Sequence, residues 1–254
     1  MKITSFKMLR ESGKRKLFVI PYFFTFANAF FGFMAVIKTF DYEFIAAAYC
    51  IGLAVLMDFL DGRLARALHS SSYLGMELDS LSDAVSFCFA PVVLLYSWYL
   101  NESGILGVFV LTAYLCAGLL RLAKFNVLSA QEGTKSFFVG LPTTIAAFFI
   151  ALIIIHSQWI LASPFRFLLH PIGILIVPAV LAFLMISPFK FPSFKRLKLR
   201  RTIFITFLSG AALFVVFSLF KGLPFLFLGI FSYIATSIIF GLYLFFRKLF
   251  SVKA

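Results

Sequence analysis

Charged residues are scarce in this chain: Asp, Glu, Lys and Arg make up 13% of its 254 residues, against about a quarter in an ordinary soluble domain. That shortage excludes a water-soluble globular protein and a disordered, highly charged tail. Cysteine is limited to Cys50, Cys88 and Cys116, each inside an apolar run and none in a CxxC or Cys/His spacing. A disulfide framework and a zinc site are therefore excluded. Acidic residues number only 10 against 23 basic ones, a net charge of +13. The basic residues fall in short runs between apolar segments, the pattern of cytoplasmic loops facing an anionic leaflet, and nucleic acid is not an expected partner.

What the chain has is apolar surface: 62% of residues are hydrophobic, and 37 are phenylalanine. A membrane helix needs roughly 20 mostly apolar residues. Eight stretches qualify, at about 17–39, 44–66, 76–100, 104–124, 141–162, 168–187, 202–220 and 223–246. The expected fold is an all-α integral membrane protein, a polytopic bundle of about eight transmembrane helices. Lys14, Arg15 and Lys16 precede a first apolar run that has no small-residue cleavage site, which reads as an uncleaved helix. With the N-terminus placed in the cytoplasm, all basic residues but Lys38, Arg166 and Lys221 fall inside, which puts both termini there. The basic run 190–201, with Pro188 and Pro192, divides the chain. Residues 1–187 form a six-helix unit, 188–201 a basic cytoplasmic loop, and 202–254 a C-terminal hairpin with a basic tail.

Five of the ten acids, Asp58, Asp61, Glu77, Asp79 and Asp83, crowd into 26 residues at the ends of the second and third helices. A carboxylate in an apolar helix costs about 2.5–3.5 kcal/mol on insertion scales. Asp58 and Asp61 are i,i+3 and Asp79 and Asp83 are i,i+4, so each pair leaves one face of its helix. The two helices run in opposite directions about a short linker, which brings both pairs to one depth near the cytoplasmic surface. Four carboxylates without His or Cys form a hard-oxygen site for Mg²⁺, Mn²⁺ or Ca²⁺. Such a site can hold a diphosphate through its metals. Gly62 and Ala65 remove bulk beside the acids, and Arg66 can pair with phosphate in a planar fork. The competing reading is an intramembrane ion-pair network, but Arg63 and Arg66 are too few to compensate the acids.

The run Asp58-x2-Asp61-Gly62-x2-Ala65-Arg66-x8-Gly75-x3-Asp79-x3-Asp83 resembles, at every position, the pattern of the CDP-alcohol phosphatidyltransferase family. The resemblance covers roughly residues 17–187. It implies transfer of a phosphatidyl group from a CDP-linked lipid to an alcohol, with release of CMP. It further implies two divalent metals, Mg²⁺ or Mn²⁺, held by Asp58, Asp61, Asp79 and Asp83, with Asp83 also the general base. Family members are commonly dimers, so a homodimer is among the assemblies implied.

The acceptor rests on two other stretches. Arg121-Leu-Ala-Lys124-Phe-Asn126 ends the fourth helix, and Gly140-Leu-Pro142-Thr-Thr opens the fifth. Two cations and an amide can bind an amino-acid carboxylate or a phosphate oxygen. They serve equally as a positive-inside anchor with a helix cap. The stretch resembles the Arg-x-Ala-Arg-Phe-Asn and Gly-Leu-Pro segments of the members that use L-serine and make phosphatidylserine. Lys124 stands where Arg is more usual, which keeps the charge and loses the bidentate fork. In the first helix, Thr25 and Asn28 share a face that either lines a nucleotide pocket or glues helices together. Tyr22 stands where Asn is common in that branch. The serines near the site, Ser72, Ser80 and Ser86 among them, read as phosphate or acceptor contacts or as helix packing. The expected reaction is CDP-diacylglycerol plus L-serine giving phosphatidylserine and CMP, in the cell (inner) membrane with the site facing the cytoplasm. Glycerol 3-phosphate, an inositol phosphate or choline stays open as acceptor. A cation transporter is the reading from another class.

Overall fold

The computed structural model describes residues 22–68, 72–130, 137–187 and 190–192. Among the described residues, four helices are long and apolar enough to cross a membrane: α1 (Tyr22–Phe40), α2 (Phe44–Ala67), α3 (Tyr73–Trp98) and α4 (Gly104–Ala130). They follow the apolar runs read from sequence, with short turns between. The α1–α2 turn is held by Lys38, whose Nζ donates to Glu43 Oε1 at 3.1 Å and lies 3.7 Å from Asp41.

Two further helices, α5 (Thr143–Ile155) and α7 (Pro171–Ile186), are shorter. At 1.5 Å per residue they span about 20 and 24 Å, less than the roughly 30 Å hydrocarbon core. The fifth segment, expected as one helix over 141–162, is broken. After Ile155 the apolar run gives way to His156-Ser157-Gln158, and His156 takes a turn conformation with Nδ1 3.1 Å from the Leu152 carbonyl. A short α6 (Ser157–Leu161) and a 3₁₀ turn (Pro164–Leu169) then lead into α7. The segments expected at 202–220 and 223–246, and with them the C-terminal hairpin, lie outside the described residues.

One small departure from an all-helical chain is a two-stranded antiparallel ribbon. β1 (Phe137–Val139) pairs with β2 (Lys190–Pro192), Phe138 opposite Phe191. Gly140 follows β1 at φ +84°, where an added Cβ would overlap the Met185 carbonyl, and the Leu141 N–H donates to the Leu184 carbonyl at 3.0 Å. The entry to α5 is thus tied to the end of α7.

α4 packs on both α7 and α3, and α2 mainly on α5. The core between them is rich in alanine: Ala35, Ala47, Ala48, Ala54, Ala90, Ala117, Ala146, Ala147 and Ala151 are all buried. Small side chains let helix backbones approach closely, which is how helices associate where lipid removes the hydrophobic drive between them. Other large side chains face outward. Phe23, Phe26, Phe30 and Phe33 form an exposed stripe on α1, and Ile45, Tyr49, Leu53 and Leu56 one on α2.

Candidate active site

α3 is not one uniform helix. It is α-helical over Tyr73–Asp83, widens to a π turn over Ala84–Phe89, and returns to α-helix over Ala90–Trp98. Its first turn is capped by Ser72, whose Oγ accepts the Gly75 N–H at 2.9 Å and lies 2.8 Å from Tyr22 Oη. Side-chain capping satisfies a backbone donor that the helix start leaves unpaired. The cap also ties the start of α3 to the start of α1. A Cβ on Gly75 would press on Ser72 Oγ at 3.1 Å and on the Tyr22 ring at 3.2 Å.

Asp58 and Asp61 on α2 and Asp79 on α3 converge. Each offers a carboxylate oxygen, and the three oxygens lie within 4.8 Å of one another. At that spacing like charges repel by about 3 kcal/mol per pair at an effective dielectric of about 20. Asp61 is only 4% exposed, so water cannot screen the cluster well. An all-oxygen donor set with this charge fits a hard divalent cation such as Mg²⁺ or Mn²⁺.

Asp83 is not a member of that compact group but lies beside it. It is buried, accepts a hydrogen bond at Oδ1 from Asn28 Nδ2 at 3.0 Å, and is near enough to Asp58, Asp79 and Asp61 to feel their charge. The four aspartates read from sequence are therefore assembled as three plus one, with Asn28 as the individual partner of the fourth. Asn28 is fully buried, and its Oδ1 has no hydrogen-bond partner among the described residues. Thr25, one turn earlier, is buried as well. Asn28 thus combines the two roles its position allows: it bridges two helices and it faces the acids.

Gly62 and Ala65 follow Asp61 along α2, and the backbone of Arg66 is helical; the Arg66 side chain lies outside the described ones. On α4, Arg121 turns inward. Its Nη1 donates to Thr143 Oγ1 at 3.2 Å, its Nε is buried with no hydrogen-bond partner among the described residues, and it lies within electrostatic reach of Asp83 and Asp58. That placement separates it from a simple surface anchor. Lys124 is exposed. Asn126 accepts from Ser80 Oγ at 2.9 Å and donates to Glu77 Oε2 at 3.4 Å. The acceptor trio expected from sequence is thus split: Arg121 looks to the acids, Asn126 clasps α3, and Lys124 faces outward.

Sequence reasoning singled out neither Thr143 as the partner of Arg121 nor Tyr114 at all. Thr143 directly succeeds the Gly-Leu-Pro segment, which is the signal that could have found it. Tyr114 hydrogen-bonds a backbone carbonyl, and such a contact leaves no residue pattern to read.

Fold and site together define a class: a helical membrane protein with an all-oxygen acidic cluster able to hold a hard metal ion, formed by two successive helices. Residues 18–183 match the CDP-alcohol phosphatidyltransferase family, and the chain belongs to it: an integral membrane phosphatidyltransferase. It is 30% identical over 191 residues to the CDP-diacylglycerol–serine O-phosphatidyltransferase of Helicobacter pylori strain 26695, which covers 74% of this chain and 78% of that one. The Bacillus subtilis enzyme of the same name is 32% identical over 177 residues, 70% of this chain and 92% of its own. The Saccharomyces cerevisiae enzyme, again so named, is 36% identical over 150 residues, 53% of each chain.

Proposed function

We propose that this protein makes phosphatidylserine, transferring the phosphatidyl group of CDP-diacylglycerol to the hydroxyl of L-serine and releasing CMP. The observation that carries the reading is the convergence of Asp58, Asp61 and Asp79, with Asp83 alongside and Arg121 turned toward them. The names of the relatives support serine as the acceptor.

The serine hydroxyl oxygen forms a bond to the phosphorus nearer the lipid as the bond from that phosphorus to the bridging oxygen breaks. CMP leaves with the electron pair. Asp58, Asp61, Asp79 and Asp83 would hold two divalent ions, Mg²⁺ or Mn²⁺, which would supply positive charge to neutralise the diphosphate and the leaving CMP. The proton of the serine hydroxyl passes to Asp83. Asn28 engages Oδ1 of that carboxylate and leaves Oδ2 to receive it. Arg121, steadied by Thr143, offers its Nε to the serine carboxylate, a charge-assisted contact stronger than a neutral one. Lys124 and Asn126 complete the acceptor side, the first by charge and the second by holding α4 to α3. Gly62, Ala65 and Gly75 let the nucleotide approach the backbone, Arg66 pairs with phosphate, and Thr25 lines the nucleotide pocket.

In this reading the enzyme sits in the inner membrane with both termini and the site on the cytoplasmic side. Residues 1–187 are the catalytic unit, 188–201 a basic loop, and 202–254 a transmembrane hairpin that brings the helix count to about eight. A homodimer is the assembly we favour. The test is CMP release by purified protein with CDP-diacylglycerol and Mn²⁺, offered L-serine, glycerol 3-phosphate, inositol phosphate or choline. Release that requires serine is the expected result. Release with another acceptor alone overturns the substrate, and failure to bind CDP-diacylglycerol overturns the reaction.

A further inference from the structure

The π turn begins at the residue after Asp83. π turns are rare, occur mostly as single insertions within α-helices, and are frequent at functional sites. Here the widened register is seen in the Ala90 N–H, which donates to the Val85 carbonyl five residues back. One extra residue in a turn rotates the remainder of the helix by about 100° relative to an unbroken α-helix. The direction in which the Asp83 carboxylate leaves α3, relative to the rest of that helix, is therefore set by whether the π turn holds.

Contacts from both flanks hold it. On the α1 side, Ser86 Oγ donates to the Asn28 carbonyl at 2.9 Å, and both residues are fully buried. Gly32 makes room for this: a Cβ there would overlap Ser86 Oγ. On the α4 side, Tyr114 Oη donates to the Phe87 carbonyl at 3.1 Å, again with both residues fully buried. The space beside Gly118, one turn further along α4, is filled by Cys88 of the π turn. The turn also packs against α2 and α5. Asn28 is gripped twice, by Ser86 at its carbonyl and by Asp83 at its amide. The hydrogen bond that orients Asp83 thus shares an anchor with the turn.

We propose that Tyr114 and Ser86 are positioning residues, which lock the π turn from opposite sides and so fix the orientation of the Asp83 carboxylate toward the acceptor hydroxyl. The proposal rests on Asp83 being the proton acceptor of the reaction above. Neither residue touches substrate; they act through the backbone at Phe87 and Asn28.

The test uses the full-length protein, with Tyr114→Phe and Ser86→Ala each removing one hydroxyl. CMP release is measured with CDP-diacylglycerol and the same four acceptors, and wild-type dependence on serine reports separately on the acceptor reading. With whichever acceptor supports wild-type turnover, each variant should lose about tenfold or more in kcat, since displacements of about 1 Å cost up to 10²-fold. Acceptor KM should stay within a factor of about two. Mn²⁺ titration, monitored by the electron paramagnetic resonance of the free ion, should still show the ion bound at the undisturbed carboxylates Asp58, Asp61 and Asp79, with only the share that Asp83 supplies reduced. A kcat equal to wild type in either folded variant overturns the proposal. So does a loss of kcat that goes together with loss of Mn²⁺ binding, which would make these hydroxyls general supports of the bundle. Should Tyr114→Phe fail to fold, Ser86→Ala alone decides between these outcomes.

Discussion

Asp83 is the proposed proton acceptor, and its neighbours make it a clean target. Asparagine in its place still offers an oxygen to Asn28 Nδ2 but cannot take a proton. Asp83→Asn is expected to lower kcat by about 10²–10⁴-fold, with CDP-diacylglycerol binding retained in a filtration or thermal-shift assay. Asp61 belongs to the compact triad and is the most buried of its three members. Asp61→Asn should abolish the stabilisation that CDP gives the wild type in Mn²⁺, so that melting in detergent no longer responds to nucleotide and metal together. Arg121→Lys keeps the charge and loses the fork that reaches Thr143 Oγ1 and presents Nε. Serine KM should rise about tenfold with a smaller change in kcat, measured by CMP release. The convergence of Asp58, Asp61 and Asp79 was legible in the sequence because their helical spacings put each set on one face of its helix. The contact between Arg121 and Thr143 was half legible, since both lie in segments singled out but nothing in either names the other. Ser86 and Tyr114 were not, because a hydroxyl bonded to a distant carbonyl imposes no local period.

At the scale of elements, apolar run length read α1 to α4 to within a few residues, α4 alone continuing some residues further, since a lipid-facing helix must remain apolar for most of its length. It misread the fifth segment, where the run is long enough on paper but His156 turns the chain by engaging the Leu152 carbonyl. It could not show the π turn in α3, which keeps the same apolar residues and changes only the hydrogen-bond register. The ribbon was equally hidden, being three residues on each side. Gly140 lets the element after that ribbon form. Alanine there must adopt φ +84° and meet the Met185 carbonyl. Gly140→Ala should cost about 1–3 kcal/mol, read as a fall of several degrees in melting temperature in detergent with Mn²⁺ binding kept.

Among the described residues, alanine is frequent in the core while the phenylalanines of α1 line the outside. A charge on the outer stripe of α1 meets hydrocarbon. Phe30→Lys should therefore reduce membrane-inserted yield and melting temperature by an amount reflecting about 2.5–3.5 kcal/mol. Phe30→Leu should be nearly neutral in the same two measurements, because either side chain is at home in lipid. The contrast separates lipid contact from specific packing at a position 57% exposed.

The ribbon fixes an exit as well as an entrance. Because Lys190–Pro192 runs antiparallel to Phe137–Val139, with Lys190 opposite Val139, the chain leaving α7 passes beside the chain entering α5. That crossing lies a short step along the chain from Thr143, the side chain that holds Arg121. A pull on the ribbon would reach the guanidinium through the start of α5 before it reached any carboxylate.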